Sequence, residues 1–172
     1  MAPSARIDDL RRRVQQDPAS IAFAQLAEEY RRAGQLDDAI ATCRTGLTIH
    51  PEYLSARVTL GRALLAVGQL DAAAAELSLV LASAPEHLAA TRALAETCRR
   101  QGQLTAAFSH YSSALKLAPN DPDLERILAD ISHALADGQS ESDAGRARAA
   151  ATLAALERWL EAIHAARADR DS

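Results

Sequence analysis

Five histidines, two cysteines and three adjacent carboxylate pairs are the side chains of this chain whose types could serve catalysis or metal binding. Their spacing serves neither. His50, His87, His110, His133 and His164 are scattered, and no two stand four residues apart, the interval that sets two imidazoles on one helix face. His50 and His87 lie near turn prolines and read as exposed loop residues. His110, beside Tyr111, reads as a surface or half-buried helix residue. Asp8–Asp9, Glu28–Glu29 and Asp37–Asp38 are sequence neighbours, so on a helix their carboxylates point about 100° apart and do not converge on a substrate. Cys43 and Cys98 are far apart and form no metal-ligand spacing; they read as small buried apolar residues. No phosphate-binding loop, H-E-x-x-H or G-x-S-x-G sequence occurs. The chain is read as non-catalytic, with no catalytic residues, no cofactor and no metal.

Charge narrows the partners. The net charge of −4 provides no overall basic field for nucleic acid. The cations are almost all arginine, with Lys116 the only lysine. That bias suits GC-rich coding, and arginine also suits recognition of carboxylates. The opening MAPSARIDDLRRR lacks the apolar core of a signal peptide. Even the Ala-rich stretch 56–85 carries Arg57, Arg62, Asp71 and Glu76, so no membrane-inserting helix is expected and a cytoplasmic location is.

With no chemistry to position, the elements themselves become the message. Gly34, Gly68 and Gly102 each open the tripeptide Gly-Gln-Leu and are spaced by 34 residues, as are Pro51, Pro85 and Pro119. Each repeat predicts a helix, a glycine turn, a second helix and a proline turn. First helices are expected over about 20–33, 54–67 and 88–101, and second helices over about 36–49, 70–83 and 104–117. Glycine sits just past the first helix, where a left-handed residue suits it. Proline follows the second helix, which it cannot continue. Small residues align at Ala27, Gly61 and Ala95, and again at Ala39, Ala73 and Ala107, where two antiparallel helices would approach closely.

These positions resemble the tetratricopeptide repeat family, whose pattern is W-x2-L-G-x2-Y…A-x3-F…P. The first repeat has FAQLAEEY (23–30), Ala39, Cys43, Gly46 and Pro51; the second RVTLGRAL (57–64), Ala73, Leu77, Val80 and Pro85; the third TRALAETC (91–98), Ala107, Tyr111, Ala114 and Pro119. Arg57 and Thr91 stand where an aromatic is usual. The resemblance implies an all-α, right-handed superhelical solenoid. Its expected parts are an N-terminal capping helix (1–16) and an array over 17–136, with repeats 20–53, 54–87 and 88–121 and a half repeat 122–136. A polar linker (137–145) and a C-terminal amphipathic helix (146–170) follow.

The resemblance further implies that first helices line a concave groove for a partner peptide or helix. The matching groove residues are Glu28, Arg31, Arg62, Arg92, Glu96, Arg99, Arg126 and His133, with Gln25, Ser55, Val58 and Thr59 also expected to be exposed. Arg62, Arg92, Arg99 and Arg126 would anchor an acidic or C-terminal peptide; the bland alternative is a solvated helix face. The Lys/Asn clamp of chaperone-binding family members has no counterpart here, since its positions hold Ala24, Glu28, Thr59, Ala89 and Ala93. In the tail, Ala149, Leu153, Leu156, Leu160 and Ile163 form a 4-3-4-3 stripe flanked by Trp159. The stripe is expected to dock on 122–136 of the same chain, in the chain's own groove, or on a second copy as a homo-oligomer.

Overall fold

In the computed structural model, backbone is described for residues 3–168 and side chains for 5–139, 142–148 and 150–154. Among the described residues every regular element is a helix: α1 (Pro3–Gln16), α2 (Ala22–Arg32), α3 (Leu36–Ile49), α4 (Leu54–Ala66), α5 (Leu70–Ser83), α6 (Leu88–Arg100), α7 (Leu104–Leu117) and α8 (Pro122–Ala168). The chain divides into two units, residues 1–129 and 130–172.

In the first unit α2 pairs with α3, α4 with α5 and α6 with α7, and α3 packs on α4 and α5 on α6. The turns inside the pairs use the predicted glycines, with φ of 77° at Gly34, 81° at Gly68 and 76° at Gly102. Beyond Gly34, the Gln35 amide donates to the Tyr30 carbonyl at 2.9 Å and the Gly34 amide to Arg31 at 3.1 Å. That reversed pair of bonds satisfies carbonyls a helix end would otherwise leave open, and the same bonds recur at Gly68 and Gly102.

The aligned small residues are contact points. Ala27, Ala95, Ala39, Ala73 and Ala107 are fully buried, and a Cβ built on Gly61 would lie 2.6 Å from Leu77 Cγ. At Gly46 a Cβ would meet the Phe23 ring. The two departures at the aromatic position are offset differently. Arg57 forms a 2.8 Å ion pair with Glu76 and donates to the Pro51 carbonyl. Thr91 is buried and its hydroxyl donates to the His87 carbonyl. At the N-terminal end, α1 packs on α2 and buries Ile7 and Leu10 in the cluster that holds Leu26 and Tyr30. Both cysteines are free and buried, and burial pushes the Cys43 thiol up to about 12.

Curvature of the first unit follows from which helices touch. Consecutive first helices α2, α4 and α6 contact one another, whereas among the described residues α3 and α5, and α5 and α7, do not. First helices therefore lie on the inner side of the curve. This closeness also buries Val58 and Thr59, at 6% and 5% exposure, where the sequence predicts exposed positions.

A linker over 137–145 is expected, but the structure has helix there, because α8 runs without a break from Pro122 to Ala168. Gly138 and Gly145 both keep negative φ. Each costs a helix about 1 kcal/mol relative to alanine, and no proline follows Pro122 to stop a chain rich in Ala, Leu, Arg and Glu. In the second unit residues 142–148 are exposed, and Leu153 is 61% exposed. The expected docking residues Leu156, Trp159, Leu160 and Ile163 lie outside the residues whose side chains are described.

Candidate functional site: the inner face of the first helices

Two cavities open between the first helices. One, about 400 Å³, lies between α2 and α4 and is lined by Glu28, Arg32, Ser55, Val58, Thr59 and Arg62, with His87 at its edge. The other, about 470 Å³, lies between α4 and α6, with Leu65, Ala89 and Ala93 beside Arg62, Arg92 and Glu96. Arg62 borders both. Together the cavities are lined by six arginines and three glutamates, a positive excess on a chain whose net charge is −4.

Most of these charges are already engaged. Glu28 accepts two bonds from Arg31, both 2.8 Å, and one from Arg32 at 3.0 Å. Its hydrogen bonds from Arg31 hold its carboxyl down at about 2, against the opposing effect of burial. Thr59 adds a longer bond at 3.4 Å. Arg92 reaches across the repeat to Asp121 at 2.5 Å. The other carboxylate oxygen of Asp121 accepts from the Asp123 and Leu124 amides at the start of α8, as a helix cap does. Arg99 chelates Glu96 with two bonds of 2.7 and 2.8 Å, and the Tyr111 hydroxyl donates to the same carboxylate at 2.8 Å. Burial and that carboxylate raise the Tyr111 phenol. Arg100 donates to the Leu65 carbonyl, and Arg6 pairs with Glu29.

Of the eight predicted groove residues, the structure brings Glu28, Arg31, Arg62, Arg92 and Glu96 to the cavity walls. Arg99 and Arg126 line neither cavity; Arg126 is exposed and pairs with Asp123. His133 is an exposed residue of the second unit. The sequence reading missed the Arg92–Asp121 pair, which the helix-cap residue Asp121, just before Pro122, could have flagged. It also missed the histidines' structural use. His50 is half-buried, stacks on Phe23 with ring centroids 6.0 Å apart, and bonds the Ala19 carbonyl at 2.6 Å. His87 caps α6, its Nδ1 accepting from the Ala90 amide. Among the described residues no group of three or more His, Cys, Asp or Glu side chains is placed to hold a metal ion. No described helix is long and apolar enough to cross a membrane.

Residues 58–122 match the family model described as tetratricopeptide repeat. No curated protein matches the chain. Among solved structures, MamA (residues 41 to end) from Desulfovibrio magneticus superposes with a TM-score of 0.73 at 19% identity, covering 82% of this chain and 80% of that one. The first repeat domain of RPAP3 bound to the HSP90 peptide SRMEEVD superposes with a TM-score of 0.66 at 21% identity, covering 69% of this chain and 94% of that one. A thermophilic repeat protein of Thermus thermophilus gives a TM-score of 0.62 at 26% identity, covering 73% and 70%. At these identities the shared property is the fold.

Proposed function

We propose that this chain, which is built of tetratricopeptide repeats, is a non-catalytic scaffold that holds a protein partner in the groove lined by α2, α4 and α6. The observation that carries the reading is the pair of adjoining cavities on the inner face of the first helices. Among the described residues the second helices α3, α5 and α7 do not contact one another, which supports the inner face rather than the outer one. The RPAP3 domain, alike in fold, holds a peptide, which supports a peptide or helix as the occupant here. The test is capture from the native lysate by the full chain and by two variants. Ala89→Trp alters an exposed residue and fills the cavity between α4 and α6. Leu79→Ser alters the exposed face of a second helix. A partner retained by Leu79→Ser and lost by Ala89→Trp fits the reading; the reverse pattern rejects it.

A second reading is self-association through α8. It is favoured by the 61% exposure of Leu153 on a helix of 47 residues, since an apolar stripe on a single helix needs a partner surface. Equilibrium sedimentation at micromolar concentration tests it: a monomer rejects the second reading and leaves the first in place.

A further inference from the structure

Four arginines were expected to anchor a peptide, and the structure separates them. Arg92 is held by Asp121, Arg99 by Glu96 and Arg126 by Asp123. Arg62 is different. Among the described residues it is the one cavity-lining arginine with no hydrogen-bond or ion-pair partner, while Arg6, Arg31, Arg32, Arg92 and Arg100 each have one. It also stands where the two cavities meet. Its surroundings repel its charge: partial desolvation lowers its affinity for the proton, Arg31 and Arg32 lower it further, and Glu28 only partly offsets them. Glu28 makes no bond to it: its carboxylate accepts two bonds from Arg31, one from Arg32 and a longer one from Thr59.

Beside Arg62 the chemistry changes. Leu65, Ala66, Ala89 and Ala93 form an apolar wall to the cavity between α4 and α6, and the alanines leave room for a large side chain. A guanidinium without a partner in a partly desolvated, net-positive groove favours a carboxylate, which it can bind through two parallel bonds. One such cation suits a single acidic group better than a polyphosphate backbone, whose binding draws on many cations in series.

The geometry points to Arg62 as the anchor for a carboxylate of a bound acidic peptide, with a neighbouring apolar side chain of that peptide in the cavity between α4 and α6. This rests on the groove reading above and names the class of partner. It differs from the Lys/Asn clamp of chaperone-binding family members, whose matching positions carry Ala24, Glu28, Thr59, Ala89 and Ala93.

The experiment selects binders of the full chain from a phage library of random ten-residue peptides, then measures fluorescein-labelled winners by anisotropy. The winners should pair Asp or Glu with a bulky apolar neighbour. Arg62→Gln should weaken them by about ten-fold or more, as expected for loss of a charged hydrogen bond, while Arg126→Gln leaves affinity within about two-fold. Amidating the C-terminus separates the two sources of carboxylate: a loss assigns the anchor to the terminus, no loss to a side chain. Neutral or basic winners, or winners indifferent to Arg62→Gln, overturn the Arg62 assignment and leave the groove reading standing if Ala89→Trp still abolishes binding. No winners at all, or winners indifferent to both variants, overturn the groove reading and the inference with it.

Discussion

Gly61 offers a sharp test of how closely the helices of a repeat approach. In an ordinary helix interior, glycine to alanine stabilises by about 1 kcal/mol. Here the new Cβ would lie 2.6 Å from Leu77 Cγ and 2.8 Å from its Cδ2. Carbon atoms prefer roughly 3.5–4.0 Å, so the overlap is about 1 Å. Leu77 is fully buried and cannot swing into solvent. Overpacking of this kind costs about 1–3 kcal/mol, which offsets the propensity gain and leaves Gly61→Ala net destabilising by up to about 2 kcal/mol. Urea unfolding followed by circular dichroism reads the change as a lower midpoint at unchanged slope. A second variant isolates the cause. Leu77→Ala should cost about 2–5 kcal/mol through its cavity, and on that background Gly61→Ala should turn stabilising, because the obstacle is gone. The two changes are then coupled by at least about 1 kcal/mol. A stabilising Gly61→Ala on its own, or effects that simply add, would refute the packing argument.

Gly138 carries the opposite expectation, since nothing lies within 4 Å of a Cβ there and its φ is negative: Gly138→Ala should raise helical ellipticity and local stability by about 0.5–1 kcal/mol, whereas a flexible linker would show no change. Glu28, depressed to about 2 from 4.5 chiefly by its bonds from Arg31, contributes stability that is present above about pH 4.5 and lost as pH falls toward 2. Glu28→Gln should therefore be less stable than the native chain by roughly 1–2 kcal/mol at pH 7, discounted for partial exposure, and the gap should close in acid; a gap independent of pH would contradict the ion pair. Cys43 and Cys98 are buried and their thiols are raised by burial, so a thiol-reactive dye should label both in guanidinium and neither in the native chain; rapid native labelling would contradict their place in the core.

What could be read from the sequence was what repeats. The glycine turns, the proline turns and the small-residue contacts recur every 34 residues, and each has a local physical cause, so the helix pairs were legible with their boundaries nearly intact. Burial of Val58 and Thr59 was not, because it arises between successive first helices rather than within one. The same holds for Arg92, whose partner Asp121 lies 29 residues away. Four expected anchors looked alike in sequence; in the structure Arg92 is held by the distant Asp121, and Arg99 and Arg126 by carboxylates three residues before them on their own helices, which leaves Arg62. The segment 137–145 misled for a different reason. Gly138, Ser140 and Ser142 are weak helix formers taken singly, but the residues on both sides propagate helix through them. The Trp159 stripe stays a sequence pattern, and its partner surface belongs to the self-association test.

The central claim is that a partner lies on the inner face of the first helices. Its most direct measurement is amide chemical-shift mapping of the full chain, with the tightest selected peptide added. The account predicts the largest shifts along α2, α4 and α6, with Arg62 and Ala89 among them and with α3, α5 and α7 little changed. Shifts concentrated on the second helices, or confined to α8, would contradict it.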